Sequence, residues 1–189
     1  MDDYLLDLKI ALQSVNYRFY NIPAYNRNGN PAVQQPEDNF CSELIRYLRN
    51  IKESTERRDS YSELNFDFNI LKNRFGIQPD IVLHSGADNQ NRQEIFIEVK
   101  TNSNAGFRED LNKLKIAISD ELNFNHAVMI VINKNLKSTL RNIREFAQSS
   151  QLEDAELQKI FLFHAKCINA NQIRYSFFSF NNLTNPINE

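Results

Sequence analysis

Asp80, Glu98 and Lys100 are the residues whose types and spacing best suit them to chemistry. Asp80 follows Pro79 and opens the apolar run Ile81-Val82-Leu83, while Glu98 and Lys100 close a second run, Ile95-Phe96-Ile97-Glu98-Val99-Lys100. A polar stretch from Ser85 to Gln93 lies between them, so the two runs are expected to pair as a β-hairpin. Folded about its middle, near Asn89, the hairpin sets Asp80 opposite Glu98. Lys100 shares their face because strand side chains alternate. Ile81, Leu83, Ile95, Ile97 and Val99 then fill the other face. Two carboxylates and an ammonium at one end of an apolar hairpin suit a divalent-cation site with a helper base. Carboxylate and carbonyl oxygens are the hard ligands that Mg²⁺ or Mn²⁺ prefers.

A third acid is expected from a helix. Pro36 suits a first helical position. From there to about Ile51, residues Phe40, Cys41, Leu44, Ile45, Tyr47, Leu48 and Ile51 form one apolar face, and Glu37 projects near its middle. The field at a helix start favours an acid by about 0.3–1 kcal/mol. Asp38 would serve that field equally well, so the inward placement of Glu37 asks for another reason.

The remaining elements must position these groups. Residues 2–15 read as a helix, and 16–35 as a long loop carrying Tyr17, Phe19, Tyr20 and Tyr25 with Arg18 and Arg27. Those rings either stack on bases or anchor the loop to the core, the plainer use. Leu64 to Ile70 alternates as a half-buried strand. Gly106 leads into a helix to about Leu122, with Phe107, Leu111, Leu114, Ile118 and Leu122 as its core stripe. The continuous run Ala127–Ile132 suits a central strand covered on both faces. A helix over 136–148, a short charged helix over 152–159 and strands at 160–165 and 173–180 follow. The tail from Asn181 is expected to fray. His84, His126 and His164 have no ligand spacing and read as structural. This order makes an α/β fold, a mixed central sheet flanked by helices on both faces.

The 189 residues, 41% hydrophobic and 24% charged, suffice for one domain with a real core. No repeat or composition shift marks a second domain, so 1–189 is read as one unit. Within it, 1–35 is an N-terminal helix and arm, 36–135 the core that carries the chemistry, and 136–189 a C-terminal helix and strands. A net charge of −2 argues against a broadly basic nucleic-acid binder while leaving room for a local basic face. No apolar run approaches the ~20 residues of a membrane span. Cys41 and Cys167 show no metal or redox spacing, and the start lacks signal-peptide features, so a cytoplasmic location is expected.

Pro79-Asp80, followed by Glu98-Val99-Lys100 at the end of the next apolar strand, resembles the signature of the PD-(D/E)XK superfamily of restriction endonuclease-like phosphodiesterases. The chain is similar in particular to small uncharacterised members with Pro-Asp-Ile-Val-Leu-His on the first strand. In those members a helix bearing Asp-x-x-Lys-Leu follows, as Asp110-Leu111-Asn112-Lys113-Leu114 does here. The resemblance covers Glu37 to Ile132 and implies a restriction endonuclease-like αβββαβ core. The first 35 and last 40 residues lie outside it. A bare Glu98–Lys100 ion pair on a solvated strand would be worth at most about 1 kcal/mol and would leave Asp80 unexplained.

The resemblance implies a Mg²⁺- or Mn²⁺-dependent nuclease that hydrolyses nucleic acid, expected to be DNA, through a metal-activated water. Asp80 and Glu98 would be direct ligands, the Val99 carbonyl a backbone ligand, and Glu37 would hold a bound water or a second ion. Lys100 would orient the attacking water and stabilise developing charge. Thr101, Asn102, Lys72 and Arg74 are candidate phosphate contacts, as is the basic stripe Lys137, Arg141 and Arg144. Three acids against one lysine would leave the site negative before a cation arrives. The alternative is a catalytically silent module of the same fold that binds or regulates within a nucleic-acid-processing or defence assembly. A homodimer is a reasonable expectation for a small domain that cuts both strands, and an RNA-directed activity shares the superfamily.

Overall fold

The computed structural model describes residues 3–25, 31–34, 37–68, 76–85, 92–101, 106–169 and 172–184. The elements in order are α1 (Asp3–Ser14), α2 (Tyr17–Tyr20), β1 (Ile22–Tyr25), β2 (Pro31–Gln34), α3 (Glu37–Glu53), β3 (Asn65–Phe68), β4 (Ile81–His84) and β5 (Gln93–Thr101). They continue with α4 (Phe107–Ile118), β6 (His126–Ile132), α5 (Leu136–Ser149), α6 (Asp154–Lys159), β7 (Ile160–Asn169), β8 (Gln172–Ser179) and α7 (Phe180–Thr184). β3 to β8 form one six-stranded sheet in sequence order, and β1 pairs with β2 apart from it. β5, β6 and β7 run parallel, whereas the β3–β4, β4–β5 and β7–β8 pairings are antiparallel. The expected α/β architecture, a mixed sheet flanked by helices, is what forms.

Alternation along the strands divides the interior into two cores. Ile81, Leu83, Ile95, Ile97 and Val99, with Val128, Ile130 and Ile132, face α1 and α3 through Leu5, Leu8, Leu44 and Leu48. Val82, Phe96, Ala127, Met129 and Val131 face α4, α5 and α6 through Leu111, Leu114, Ile143 and Leu157. Ala127 to Ile132 are fully buried, as a strand clothed on both sides requires. In α3 the expected stripe is buried at Phe40, Cys41, Leu44, Ile45 and Leu48 and half-buried at Tyr47 and Ile51. The α5 stripe buries Ile143 and Ala147 fully and Leu140 partly.

Three local expectations change. The stretch read as a loop over 16–35 contains α2 and the β1–β2 pair. Tyr20 anchors it: its ring is fully buried edge-on to Phe40, and its hydroxyl donates to the Leu12 carbonyl. The tail does not fray at Asn181, because α7 extends to Thr184 and buries Phe180 and Leu183 in the second core. Helix α4 ends at Ile118, where Ser119 turns extended (ψ 161°); Leu122 is buried all the same, by the turn that follows. No described helix is long and apolar enough to cross a membrane.

Candidate active site

The site gathers at the carboxyl end of β5. Antiparallel pairing of Ile81 with Ile97, Val82 with Phe96 and Leu83 with Ile95 fixes the hairpin register, and one further step sets Asp80 against Glu98. Asp80 sits just before β4, and its Oδ2 accepts a 2.7 Å hydrogen bond from the Val99 backbone N–H. The Val99 backbone thus ties the two acid-bearing segments together. The bulge between Leu83 and His84 lies at the other end of the hairpin, where His84 bonds Asp67 at 2.7 Å. Ser85 and Gln93, where the polar connection leaves and rejoins the hairpin, lie at that end, and residues 86–91 between them lie outside the described residues.

Glu98 and Lys100 lie on the strand face that meets α4, as alternation requires, and α4 answers with Asp110 and Lys113. Spacing of i, i+3 places these two side by side on one edge of the helix, flanking the buried Leu111 and Leu114. Lys113 Nζ donates to Glu98 Oε2 at 2.8 Å and lies 3.4 Å from Asp110 Oδ1. Lys100 Nζ is 2.8 Å from Asp110 Oδ2, an ion pair whose angles leave that oxygen without an aligned donor. Lys100 therefore pairs with Asp110 rather than with Glu98. Glu98 itself is 1% exposed, and its second oxygen, Oε1, has no hydrogen-bond partner among the described residues.

Glu37 arrives from the opposite layer. It starts α3, which packs on the other face of the sheet, and its Oε1 accepts from both the backbone N–H and the hydroxyl of Thr101, each at 3.1 Å. The inward placement expected from the helix pattern is thus a clasp on the end of β5. Gly106 caps the start of α4 in the left-handed region (φ 73°), and a Cβ there would stand 3.6 Å from Lys100 Nζ.

Electrostatics follow from this crowding. Burial pushes the Asp80 carboxyl up to about 6; the Val99 N–H opposes the shift and the charge of Glu37 adds to it. Burial, then the charge of Asp80, pushes Glu98 up to about 9 against the pull of Lys113. Burial also works against the Lys100 and Lys113 ammoniums. Asp110 for the first, and Glu98 with Asp110 for the second, outweigh it and raise both above the usual lysine range. The Cys41 thiol beneath the site is pushed far up by burial and by the surrounding acids.

The structure adds one acid and one lysine to the group expected from sequence, so Glu37, Asp80, Glu98 and Asp110 face Lys100 and Lys113 and the formal balance is unchanged. Lys134, just past β6, feels the charges of Lys100, Asp110 and Glu37 as well, so it belongs to the same field. Sequence reasoning singled out Asp110 and Lys113 as a helix motif without placing them in the site. Their i, i+3 spacing directly after the Glu-x-Lys strand was the available signal.

The candidate substrate contacts divide. Lys72, Arg74 and Asn102 lie outside the described residues. Thr101 is 7% exposed and its hydroxyl is committed to Glu37, which removes it as a phosphate contact. Lys137 and Arg141 are exposed on α5, whereas Arg144 donates to the Leu183 carbonyl at 2.7 Å and fastens α7.

Among the described residues, no group of three or more His, Cys, Asp or Glu side chains converges as a ready-made metal cage. Mg²⁺ asks for less: it keeps several waters and is commonly held by one or two carboxylates together with substrate phosphates. Asp80 and Glu98 fit that demand, since both carboxyls are disfavoured as anions by burial and Glu98 Oε1 has no donor on it. The chain matches no protein-family model, no curated protein and no solved structure.

Proposed function

We propose that this chain is a divalent-metal-dependent nuclease, with DNA the expected substrate and a restriction endonuclease-like core running α3–β3–β4–β5–α4–β6. The observation that carries the reading is the partnerless Glu98 Oε1, fully buried beside Asp80. A buried carboxylate oxygen left without a donor costs about 1–3 kcal/mol or more, a cost that a bound cation would remove. The order of elements and the opposed Asp80 and Glu98 support the same reading.

Asp80 and Glu98 would hold the Mg²⁺ or Mn²⁺, with the Val99 carbonyl as a backbone donor and Glu37 reaching a coordinated water. The cation would supply charge stabilisation on phosphate oxygens and a nucleophile near neutral pH. The Val99 N–H fixes the Asp80 carboxylate, and Thr101 fixes Glu37, so both acids are oriented in advance. Asp110 holds Lys100 at the end of β5, charged and aimed along the strand face, where it can orient the attacking water and meet negative charge on the phosphate. Lys113 neutralises one Glu98 oxygen and leaves the other for the cation.

The same ion pairs also favour the second reading, a catalytically silent module, because Glu98 is already paired with Lys113 and Lys100 with Asp110. Incubation with plasmid, single-stranded DNA and RNA separates the two, with and without Mg²⁺ or Mn²⁺. Metal-dependent cleavage lost in both Asp80→Ala and Lys100→Ala is the expected result. Cleavage that survives both substitutions removes the site assignment, and no cleavage of any substrate leaves the silent module standing.

A further inference from the structure

A second recess adjoins the carboxylate cluster, and its chemistry has the opposite sign. It is a cavity of about 240 Å³ between α4 and the β6–α5 junction, lined by Phe107, Lys134, Asn135, Ser138 and Asn142, with Asn133 and Thr139 behind. At roughly 30 Å³ per water molecule it holds about eight, room for a phosphate group with part of its sugar. Among the described residues no acidic side chain lines it, although four acids crowd the neighbouring site.

Lys134 is the unusual member. It is only 9% exposed, and burying an ammonium is costly unless something favours the charge. Its Nζ lies 4.6 Å from the centre of the Phe107 ring, a cation–π contact worth roughly 0.5–2 kcal/mol. Burial and then Lys100 depress its ammonium, while Asp110 and Glu37 act the other way. The fold therefore sets a lysine amine, over the Phe107 ring, at the edge of the acids and beneath an opening lined with neutral hydrogen-bonding groups. Ser138 and Asn142 stand one helical turn apart on α5 and present a hydroxyl and an amide to the same space. Asn133, by contrast, is already committed: its side chain donates to the Tyr20 carbonyl and accepts from the Cys167 N–H. That fixes the wall, while Lys134, Ser138 and Asn142 line the open space.

The register of the sheet sets this recess beside the candidate active site. Thr101 pairs with Ile132, so the residues just past β6 emerge next to the end of β5, where Lys100 and Glu98 stand. We infer that the cavity bounded by Lys134, Ser138 and Asn142 is a phosphate-binding subsite, taking the phosphate of a nucleotide next to the one held at the carboxylates. The assignment of that phosphate to a nucleic-acid strand rests on the nuclease reading; the phosphate chemistry of the cavity does not.

The test uses the full-length ¹⁵N-labelled protein in EDTA, where no cleavage interferes. It is titrated in turn with inorganic phosphate and with hexathymidylate with and without a 5′-phosphate. Saturable shifts of the Lys134, Ser138, Thr139 and Asn142 amides, with affinity at least tenfold weaker in Lys134→Met and in Asn142→Asp, support the subsite. Should Lys134→Met fail to fold, Asn142→Asp decides alone, since that half-buried side chain lines the cavity from the helix surface. Shifts confined to Lys137, Arg141 and Arg144, or affinity unchanged in Asn142→Asp, overturn it. Binding of inorganic phosphate alone identifies a free phosphate as the ligand. Response to the oligonucleotides places it on a strand, at the end if the 5′-phosphate is required and within the chain if it is not. Phosphate binding here together with no plasmid cleavage upholds the cavity and removes the nuclease.

Discussion

Glu98→Gln should make the metal-free protein more stable, which is the reverse of the usual result at a buried, hydrogen-bonded position. Glu98 is 1% exposed, and burial with the charge of Asp80 pushes its carboxyl from 4.5 up to about 9. An acid whose folded value is raised binds its proton more tightly in the folded state. Its contribution to stability is then most favourable below the unfolded value and declines as pH rises through the folded one. At about 1.4 kcal/mol per pH unit, the interval from 4.5 to 7.5 sets a ceiling of about 4 kcal/mol. The Lys113 hydrogen bond is weakened in the amide, which returns about 1–2 kcal/mol. The net expectation is a gain of about 2 kcal/mol at pH 7.5, turning into a loss of about 1–2 kcal/mol near pH 4.5, where only the weakened hydrogen bond is felt. Urea unfolding in EDTA across pH 4.5–8.5 measures it. With saturating Mg²⁺ the order should reverse, because a ligand at 100 times its Kd stabilises by about 2.7 kcal/mol and the amide forfeits that gain. Glu98→Gln destabilising equally at every pH would refute the reasoning, since the carboxylate would then be well satisfied as it stands.

Two further outcomes follow from the geometry. Asp110→Asn should move both limbs of a pH–cleavage profile to lower pH, because Asp110 raises Asp80 and Glu98 as well as Lys100 and Lys113. Initial rates over pH 5–10 test this, and an unmoved alkaline limb would detach Asp110 from Lys100. Gly106→Ala should cost about 1 kcal/mol in urea unfolding, since φ is 73° there. Cleavage should fall no further than that loss explains, because the new Cβ stands in ordinary contact with Lys100 Nζ at 3.6 Å and asks only the end of the Glu109 side chain, at 3.3 Å, to shift.

The hairpin was legible because a strand repeats every two residues. Once Asp80 and Glu98 were paired, the alternation of Ile81, Leu83, Ile95, Ile97 and Val99 dictated which side chains turned towards each core. Glu37 was legible for the same kind of reason, as an acid on the wrong side of an amphipathic helix. What it touches was not, because the Thr101 contact spans two layers and 64 residues of sequence. Lys113 and Asp110 stayed hidden as site members for a related reason. Helical periodicity says that both flank the Leu111–Leu114 stripe, but the flank that meets β5 is set by how α4 lies on the sheet. Helices α2 and α7 were illegible because their stability is borrowed: Tyr20, Phe180 and Leu183 are buried by other elements rather than favoured by local pattern.

Glu37 on Thr101 has a mechanical side. The tip of β5 is gripped from one layer by α3 and from the other by α4, through Lys113 on Glu98 and Asp110 on Lys100. Neither helix layer can swing away without breaking a contact at that tip, so opening the site from either side costs at least one of them. The amides of β5 and the first turns of α3 and α4 should therefore exchange with solvent only through openings that break such a contact. A cation seated between Asp80 and Glu98 would then slow the unfolding of the entire sheet rather than quiet a single loop.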